Sequence, residues 1–548
     1  MDHSGHAMGM EMEGGWRMPP MNMEMPMLPG LEGVVPVVQP MLPGQMIDPA
    51  SLPEAVPSQV VAMADGDVLD ISVSMVRRTL AGQTLAMFGY NGQYPGPLIQ
   101  APKDATLTIR VTNDIQMPTT VHWHGIRLDN AYDGVPGVTQ DPIGPGESFE
   151  YQVKVPDAGM FWYHPHVRED VQQDLGLFGN LLVTSPDPDY YGPMHREEIL
   201  VLDDILMDSN GLIPYGQESP THALMGRFGN VLMVNGGTDR SLEVRRGEVV
   251  RFYLTNVANT RTFNVQIAGA QMKVVASDVS RYEREQWVES VVIAPAERYI
   301  VDVRFPESGS AAMVNAIQAM DHMLGIFEPQ TDTLMRITVA DEAAEPDLRA
   351  AFETLRTHPE VEDEVAQYRS WVDREPDHSL ETTVRIQDLP LPIVQMMEMD
   401  TLYVPPMEWN DGMPMMNWLS TGEQVEWILR DTDTGAENGA IDWRFEVGDV
   451  VKIRVHNTAR SFHPMQHPFH IHGQRFVVVA VDGVANPNMV WKDTAIIPVG
   501  STVDLVVEMS NPGEWMAHCH IAEHLHTGMM FGFTVDPVGT ADPEMGPG

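Results

Sequence analysis

Phe445-Glu446-Val447-Gly448-Asp449-Val450-Val451-Lys452-Ile453-Arg454-Val455-His456-Asn457 decides the fold. After Gly448 the apolar residues Val451, Ile453 and Val455 alternate with Lys452, Arg454 and His456. That is the two-residue period of a half-buried strand, and Asn457 closes it. The plan occurs twice more. Asn235-Gly236-Gly237 leads into Arg246-Gly247-Glu248-Val249-Val250-Arg251-Phe252-Tyr253-Leu254-Thr255-Asn256. Asn91-Gly92-Gln93-Tyr94-Pro95-Gly96-Pro97 leads into Thr106-Leu107-Thr108-Ile109-Arg110-Val111-Thr112-Asn113. A turn, an alternating strand and a closing Asn thus recur three times, roughly 140 to 200 residues apart. The repeat predicts three copies of one β-sandwich. A chain of 548 residues is too long for one core and suits several domains.

Two stretches break this pattern. Met1 to Met46 holds eleven methionines, and prolines recur from Pro19 to Pro57. With neither helical nor strand period, it reads as a mobile or surface-draped arm. Its thioethers, with His3 and His6, could also capture Cu(I). Leu348 to Asp373 has helical spacing and many charges, which places one or two helices there. The expected divisions are an arm over 1–55, a first sandwich over 56–187 and a second over 188–340. A helical insertion over 341–380 and a third sandwich over 381–548 complete the chain, with a frayed Gly- and Pro-rich tail after Asp536.

Composition removes several function classes. The net charge is -44 and only five residues are lysine, a surface that repels phosphate backbones, so nucleic acid is not an expected partner. Such acidity serves solubility, or adaptation to high salt. No run of about 18 apolar residues appears, so no membrane span is expected. Met1-Asp2-His3-Ser4-Gly5-His6 lacks the basic and apolar regions of a secretory signal. A single cysteine, Cys519, excludes an intrachain disulfide and leaves either an inert buried thiol or a reactive one.

Its neighbours decide. Half of the 20 histidines fall in four clusters: His122-Trp123-His124, His164-Pro165-His166, His467-Pro468-Phe469-His470-Ile471-His472, and His518-Cys519-His520 with His524. Four such groups in one chain point to metal. On an extended strand His518 and His520 share a face and Cys519 takes the other. One tripeptide then touches two metal sites. A thiolate, two imidazoles and a weak axial thioether make a blue-copper centre. His524 and Met529 follow Cys519 at spacings that a strand end and a tight loop can fold around one ion, and His467 is left over to supply the second imidazole. Structural zinc uses several cysteines and does not fit. The opposite face holds eight imidazoles, which suit three coppers better than one. Reducing dioxygen to two waters takes four electrons, which four coppers can collect from one-electron donors.

These clusters resemble those of the multicopper oxidases, the laccases and bacterial cuprous oxidases, over roughly residues 60 to 536. The resemblance implies an all-β fold of three cupredoxin-like Greek-key sandwiches, with the helical insertion between the second and third. It implies four copper ions. His467, Cys519, His524 and Met529 match the type 1 ligands, and His122 and His470 the type 2 ligands. His124, His164, His166, His472, His518 and His520 match the paired type 3 ligands. It also places the trinuclear site between the first and third sandwiches, bridged by the second. Asp133 matches an acidic residue that helps deliver protons. Many bacterial members carry a glutamate directly after the second type 1 histidine, where this chain has Leu525. Glu523 is a nearby candidate carboxylate, although on a strand it would face differently.

The reductant is expected near His524 or His467. Met396, Met397, Met399, Met407, Met413, Met415 and Met416 precede the third sandwich, and Met465 lies two residues before His467. In bacterial cuprous oxidases methionine-rich segments cover this entrance, and the matching methionine helps bind Cu(I). Where relatives carry an acidic residue four before the type 1 histidine, this chain has His463. Thioethers suit Cu(I) and also make adaptable walls for aromatics. His463, Met465, Met413, Met415 and Met416 are therefore candidates for binding either donor. Phenolic or aromatic-amine donors with O2 are expected first, Cu(I) second, and copper storage without turnover third. Nitrite reduction is disfavoured, since it needs no second pair of His-x-His motifs. The resemblance and the scarcity of cytosolic copper imply a periplasmic or secreted location.

Overall fold

The computed structural model describes residues 40–44, 46–216, 219–321, 326–387, 407–409 and 422–539. The arm before residue 40, the tail from 540, and Met396, Met397, Met399, Met413, Met415 and Met416 lie outside them.

The three quoted stretches occupy one structural position in three sandwiches. Thr106–Asn113 runs parallel to Val68–Leu80 and antiparallel to Ser148–Lys154. Val249–Asn256 is flanked in the same way by Arg196–Ile205 and Arg298–Arg304. Val450–Asn457 lies between His378–Ile386 and Thr502–Glu508. The closing asparagines explain the repeat. Asn113 Nδ2 donates to the carbonyls of Met117 and Ile143, both at 2.8 Å. Asn256 donates to those of Arg261 and Ile293 at 2.7 and 2.8 Å. Asn457 donates to those of Met465 and Ile497 at 2.6 and 2.9 Å. All three are buried. Each supplies two hydrogen bonds where the chain leaves one sheet for the other, so two buried carbonyls are not left unpaired. Asn91-Gly92 and Asn235-Gly236 have positive φ at both positions, the conformation a tight two-residue hairpin needs.

Each sandwich closes over an apolar core, and those of the first and third take in residues of the second, such as Ile205 and Met225. The expected all-β architecture with a short helical insertion is what the chain adopts. The insertion comprises helices Arg349–Glu353 and Pro359–Val365 and the 3-10 turn Ala366–Asp373. Val361, Val365 and Tyr368 pack against Val279 of the second sandwich and Trp491 of the third. Met41 pairs with Tyr215 of the second sandwich, while residues 54–56 pair with the first, Ala55 N–H donating to Arg77 O and Val56 N–H to Gly92 O. Met407–Trp409 pairs with Gln318–Met320 of the second sandwich, although sequence spacing assigns it to the third.

Two strand pairs set up the site. His122–His124 lies antiparallel to Gly159–His164, with His122 opposite His164. His467–Ile471 lies antiparallel to Gly513–Cys519, with His470 opposite His518 and Phe469 opposite Cys519. The pleat therefore sends His470 and His518 to one face and Cys519 to the other.

Candidate copper centre

Eight buried histidines from the first and third sandwiches converge. Three triads each bring one nitrogen per ring within 4.8 Å of the others: His122, His124 and His470; His124, His164 and His520; His166, His472 and His518. His124 and His470 stack at 3.8 Å between centroids, and His122 and His472 lie 4.1 Å apart.

The hydrogen bonds assign a direction to each ring. His122 Nδ1 meets Asp133 O at 2.8 Å, His164 Nδ1 meets Pro165 O at 2.9 Å, and His470 Nδ1 meets Asp493 O at 2.8 Å. His518 Nδ1 meets Cys519 O at 2.8 Å. Carboxylates hold His472 Nδ1 (Asp133, 2.8 Å), His166 Nδ1 (Glu169, 2.7 Å) and His124 Nε2 (Asp493, 3.0 Å). Each of these ring nitrogens is the donor, because its partner is an acceptor. The other nitrogen then carries a bare lone pair. Those of His122, His164, His166, His470 and His520 at Nε2, and of His124 at Nδ1, are buried without a hydrogen-bond partner. His472 Nε2 and His518 Nε2 face each other at 3.0 Å. A buried group of convergent lone pairs is costly by itself and is a fitted ligand set for cations.

Electrostatics agree. Burial pushes the imidazolium ionisations of His124, His164, His470, His518 and His520 well below the ordinary value, and that of His472 to about 3. These rings are neutral and able to ligate. His166 is the exception: burial alone would lower it, but the Glu169 carboxylate raises it. Burial would raise Asp133, yet His472 and His122 hold it well below the usual carboxylate range.

On the opposite face Cys519 Sγ lies 3.5 Å from His467 Nδ1 and 3.8 Å from His524 Nδ1. Burial pushes the thiol up, so its ionisation at neutral pH needs a bound cation. Met529 is fully buried, and its carbonyl accepts the Cys519 N–H at 3.1 Å. Trp427 stacks on His524 at 4.1 Å and donates through Nε1 to Ala223 O. The donor set is the soft, mixed S/N kind that suits copper.

One expectation is corrected. Ala522–His526 is a helical turn rather than a strand, closed by Leu525 N–H to Ile521 O and Thr527 N–H to Glu523 O. On that turn Glu523 faces away from the Cys519 group, toward the second sandwich. Its Oε2 accepts from Thr260 Oγ1 at 3.0 Å, and burial, with Asp170 nearby, pushes it up to about 7. His463 and Met465 are both buried, and the His463 ring acts electrostatically on His467 and His524.

Three participants escape the sequence reading. Asp493 holds His124 and is itself clamped by Arg298 of the second sandwich through bonds of 2.7 and 2.5 Å. Arg298 is also bonded to Met160 O and Ala296 O. Asp493 and Arg298 lie 195 residues apart, and no local pattern links them. Glu169, three residues after His166, carries the one usable signal: a ligating histidine wants a carboxylate on its outer nitrogen.

Family models for multicopper oxidases match residues 72–188, 202–331 and 408–539. This chain belongs to the multicopper oxidase family, whose members are copper-dependent oxidoreductases. It is 26% identical to multicopper oxidase MmcO of Mycobacterium tuberculosis, over 83% of this chain and 84% of that one. It is 28% identical to laccase-5 of Trametes versicolor, over 87% and 91%. Among solved structures, a laccase-like multi-copper oxidase CueO from Ochrobactrum sp., described as acting on lignin model compounds, superposes with TM-score 0.64 at 25% identity, over 88% and 100%. A multicopper oxidase from Campylobacter jejuni, described as a metallo-oxidase, gives 0.66 at 22% identity over 92% and 98%. The last likeness concerns the fold.

Proposed function

We propose that this protein oxidises phenolic or aromatic-amine donors, one electron at a time, and reduces O2 to water with four coppers. His467, Cys519, His524 and Met529 hold the electron-accepting ion. His122 and His470 hold one ion of the cluster, and the triads His124, His164, His520 and His166, His472, His518 hold a pair. Copper supplies the one-electron redox chemistry and the affinity for O2. The chain's residues do the rest. His518 and His520 are bonded directly to Cys519, which gives the two sites the shortest covalent link a polypeptide offers. Asp133, between His122 and His472, keeps a negative charge beside the cluster and is placed to pass protons toward it. The observation that carries this reading is the two-sided tripeptide, with the His467–Cys519–His524 group on one face and two histidine triads on the other. A location outside the cytoplasm belongs to the same proposal.

Copper analysis, the visible spectrum and oxygen uptake test it together. The copper-loaded protein should hold four coppers per chain, show an intense blue thiolate band, and consume O2 with a methoxyphenol. Cys519→Ser should lose the band. Bound copper without uptake for any donor would favour storage. A second reading, Cu(I) oxidation, is supported by the His463 imidazole beside His467 with the Met465 thioether two residues away. Met465→Leu would then slow Cu(I) turnover and spare the phenol.

A further inference from the structure

The indole of Trp162 backs one whole triad. It stacks on His164 at 4.1 Å between centroids, and its centroid lies 5.2 Å from that of His124 and 5.6 Å from that of His520. Across the sheet Trp162 is directly opposite Asn180 on Gly179–Thr184, so the two side chains share a face. The second sandwich covers that face: its Tyr253 and Ile300 pack with Met160 and Leu182. One step along each strand toward His124 comes Trp162 opposite Asn180 and, facing them, Thr255 opposite Arg298. The Arg298 side chain marks the direction, since it bonds Met160 O and ends on Asp493, the carboxylate that holds His124.

Their polar atoms share one feature. Trp162 Nε1, both amide atoms of Asn180 and Thr255 Oγ1 are buried with no hydrogen-bond partner among the described residues. Trp162 and Thr255 are fully buried and Asn180 is 4% exposed. Buried polar groups are paired as a rule, so three bare ones on facing surfaces call for an occupant between them. Their neighbours are committed elsewhere. Tyr253 donates to Glu197, and Arg298 is bonded to Met160 O, Ala296 O and Asp493. The indole N–H and the amide do not bond each other, although the strands hold them opposite. What fits must be small and uncharged, and must both accept and donate. Water does so: it accepts from the indole and donates to Asn180 Oδ1 and Thr255 Oγ1, the usual three bonds of a buried water. Dioxygen cannot donate and would leave both acceptors bare.

We infer that Trp162, Asn180 and Thr255 enclose a buried water site behind the His124–His164–His520 triad, and that this water positions the indole against the three rings. An indole bonded at its N–H edge cannot swing away from His164, so Asn180 is a positioning residue that acts through the water and Trp162. The site draws on the first and second sandwiches and closes only when they dock. The water site does not depend on the proposed oxidase reading; its effect on a copper at the triad does.

Crystals of the copper-free protein read the site, and the copper-loaded protein reads its effect. In the wild type a water should lie within about 3.2 Å of Trp162 Nε1, Asn180 Oδ1 and Thr255 Oγ1. Asn180→Leu, close in size and without polar atoms, should expel it and turn the indole. That variant should bind copper at the triad about tenfold more weakly in a chelator competition, the loss expected when the outer support of a metal ligand is removed, while the blue band persists. Asn180→Ser, which keeps a hydroxyl, should restore most of the affinity. Should Asn180→Leu not fold, Thr255→Val, which removes one hydroxyl at near-constant size, takes its place with the same expected losses. A wild type without this water overturns the site. Water expelled with copper affinity unchanged overturns the positioning role. A wild type that shows the water and binds no copper refutes the oxidase reading alone.

Discussion

Gly125, which follows His124, should be a sensitive glycine beside the copper centre. Its φ is +81°, and a Cβ built there comes within 3.0 Å of both Asp493 Oδ2 and Arg298 Nη2. Gly125→Ala therefore adds two costs. Left-handed backbone in an L-residue costs about 1–2 kcal/mol. Prising apart a buried, bidentate ion pair costs about 3–5 kcal/mol, since neither charge has room to rehydrate. The sum, roughly 4–7 kcal/mol, is a large part of the 5–15 kcal/mol that holds an ordinary domain together. Gly66 supplies the control: it has the same φ of +81° and nothing within 4 Å of its notional Cβ. Gly66→Ala should show the backbone cost alone. Urea unfolding of the copper-free variants, followed by tryptophan fluorescence, measures both. Copper retention should fall only in Gly125→Ala, because displaced Asp493 no longer fixes the His124 ring. Equal destabilisation of the two variants would refute the clamp.

Glu169→Ala should release the His166 ring and weaken copper binding at its triad by about 10–100-fold, leaving the blue band intact. Glu169→Gln, which keeps an acceptor, should restore most of the loss; a copper titration by absorbance distinguishes them. Asp203 gives a pH prediction. Burial and the neighbouring Asp174 push its carboxyl from 3.8 to about 8, and its Oδ2 accepts from Tyr94 at 3.1 Å. A raised folded pKa means that stability is complete below 3.8 and is lost as pH rises through 8. At about 1.4 kcal/mol per pH unit the loss is bounded at several kcal/mol. Asp203→Asn, a neutral mimic of the protonated acid, should flatten stability across that window; an unchanged pH profile would show that Asp203 is ionised in the fold.

What sequence made legible was periodic or local. The alternating strands before Asn113, Asn256 and Asn457 announced three sandwiches, because strand periodicity and a chain-reversing Asn both act over a few residues. The His-x-His spacing and the placement of Cys519 between His518 and His520 follow from pleat geometry alone. The facing of Glu523 does not follow from strand alternation, because past the end of the sheet i to i+4 hydrogen bonds take over in Ala522–His526. Asp493 and Arg298 gave no sign, since their meaning arises only when separate sandwiches meet. That His124 turns Nδ1 inward while its neighbours use Nε2 depends on Asp493 and Thr494, and no spacing encodes it.

Arg298 has one more consequence. The middle sandwich contributes no histidine to either metal group among the described residues, yet its guanidinium fixes the carboxylate behind His124 and His470. All three sandwiches must therefore be folded and docked before the ligand cage is complete. Metal capture then acts as a quality check on assembly: a chain whose middle domain is displaced keeps its histidines but loses the rigid frame that makes them bind.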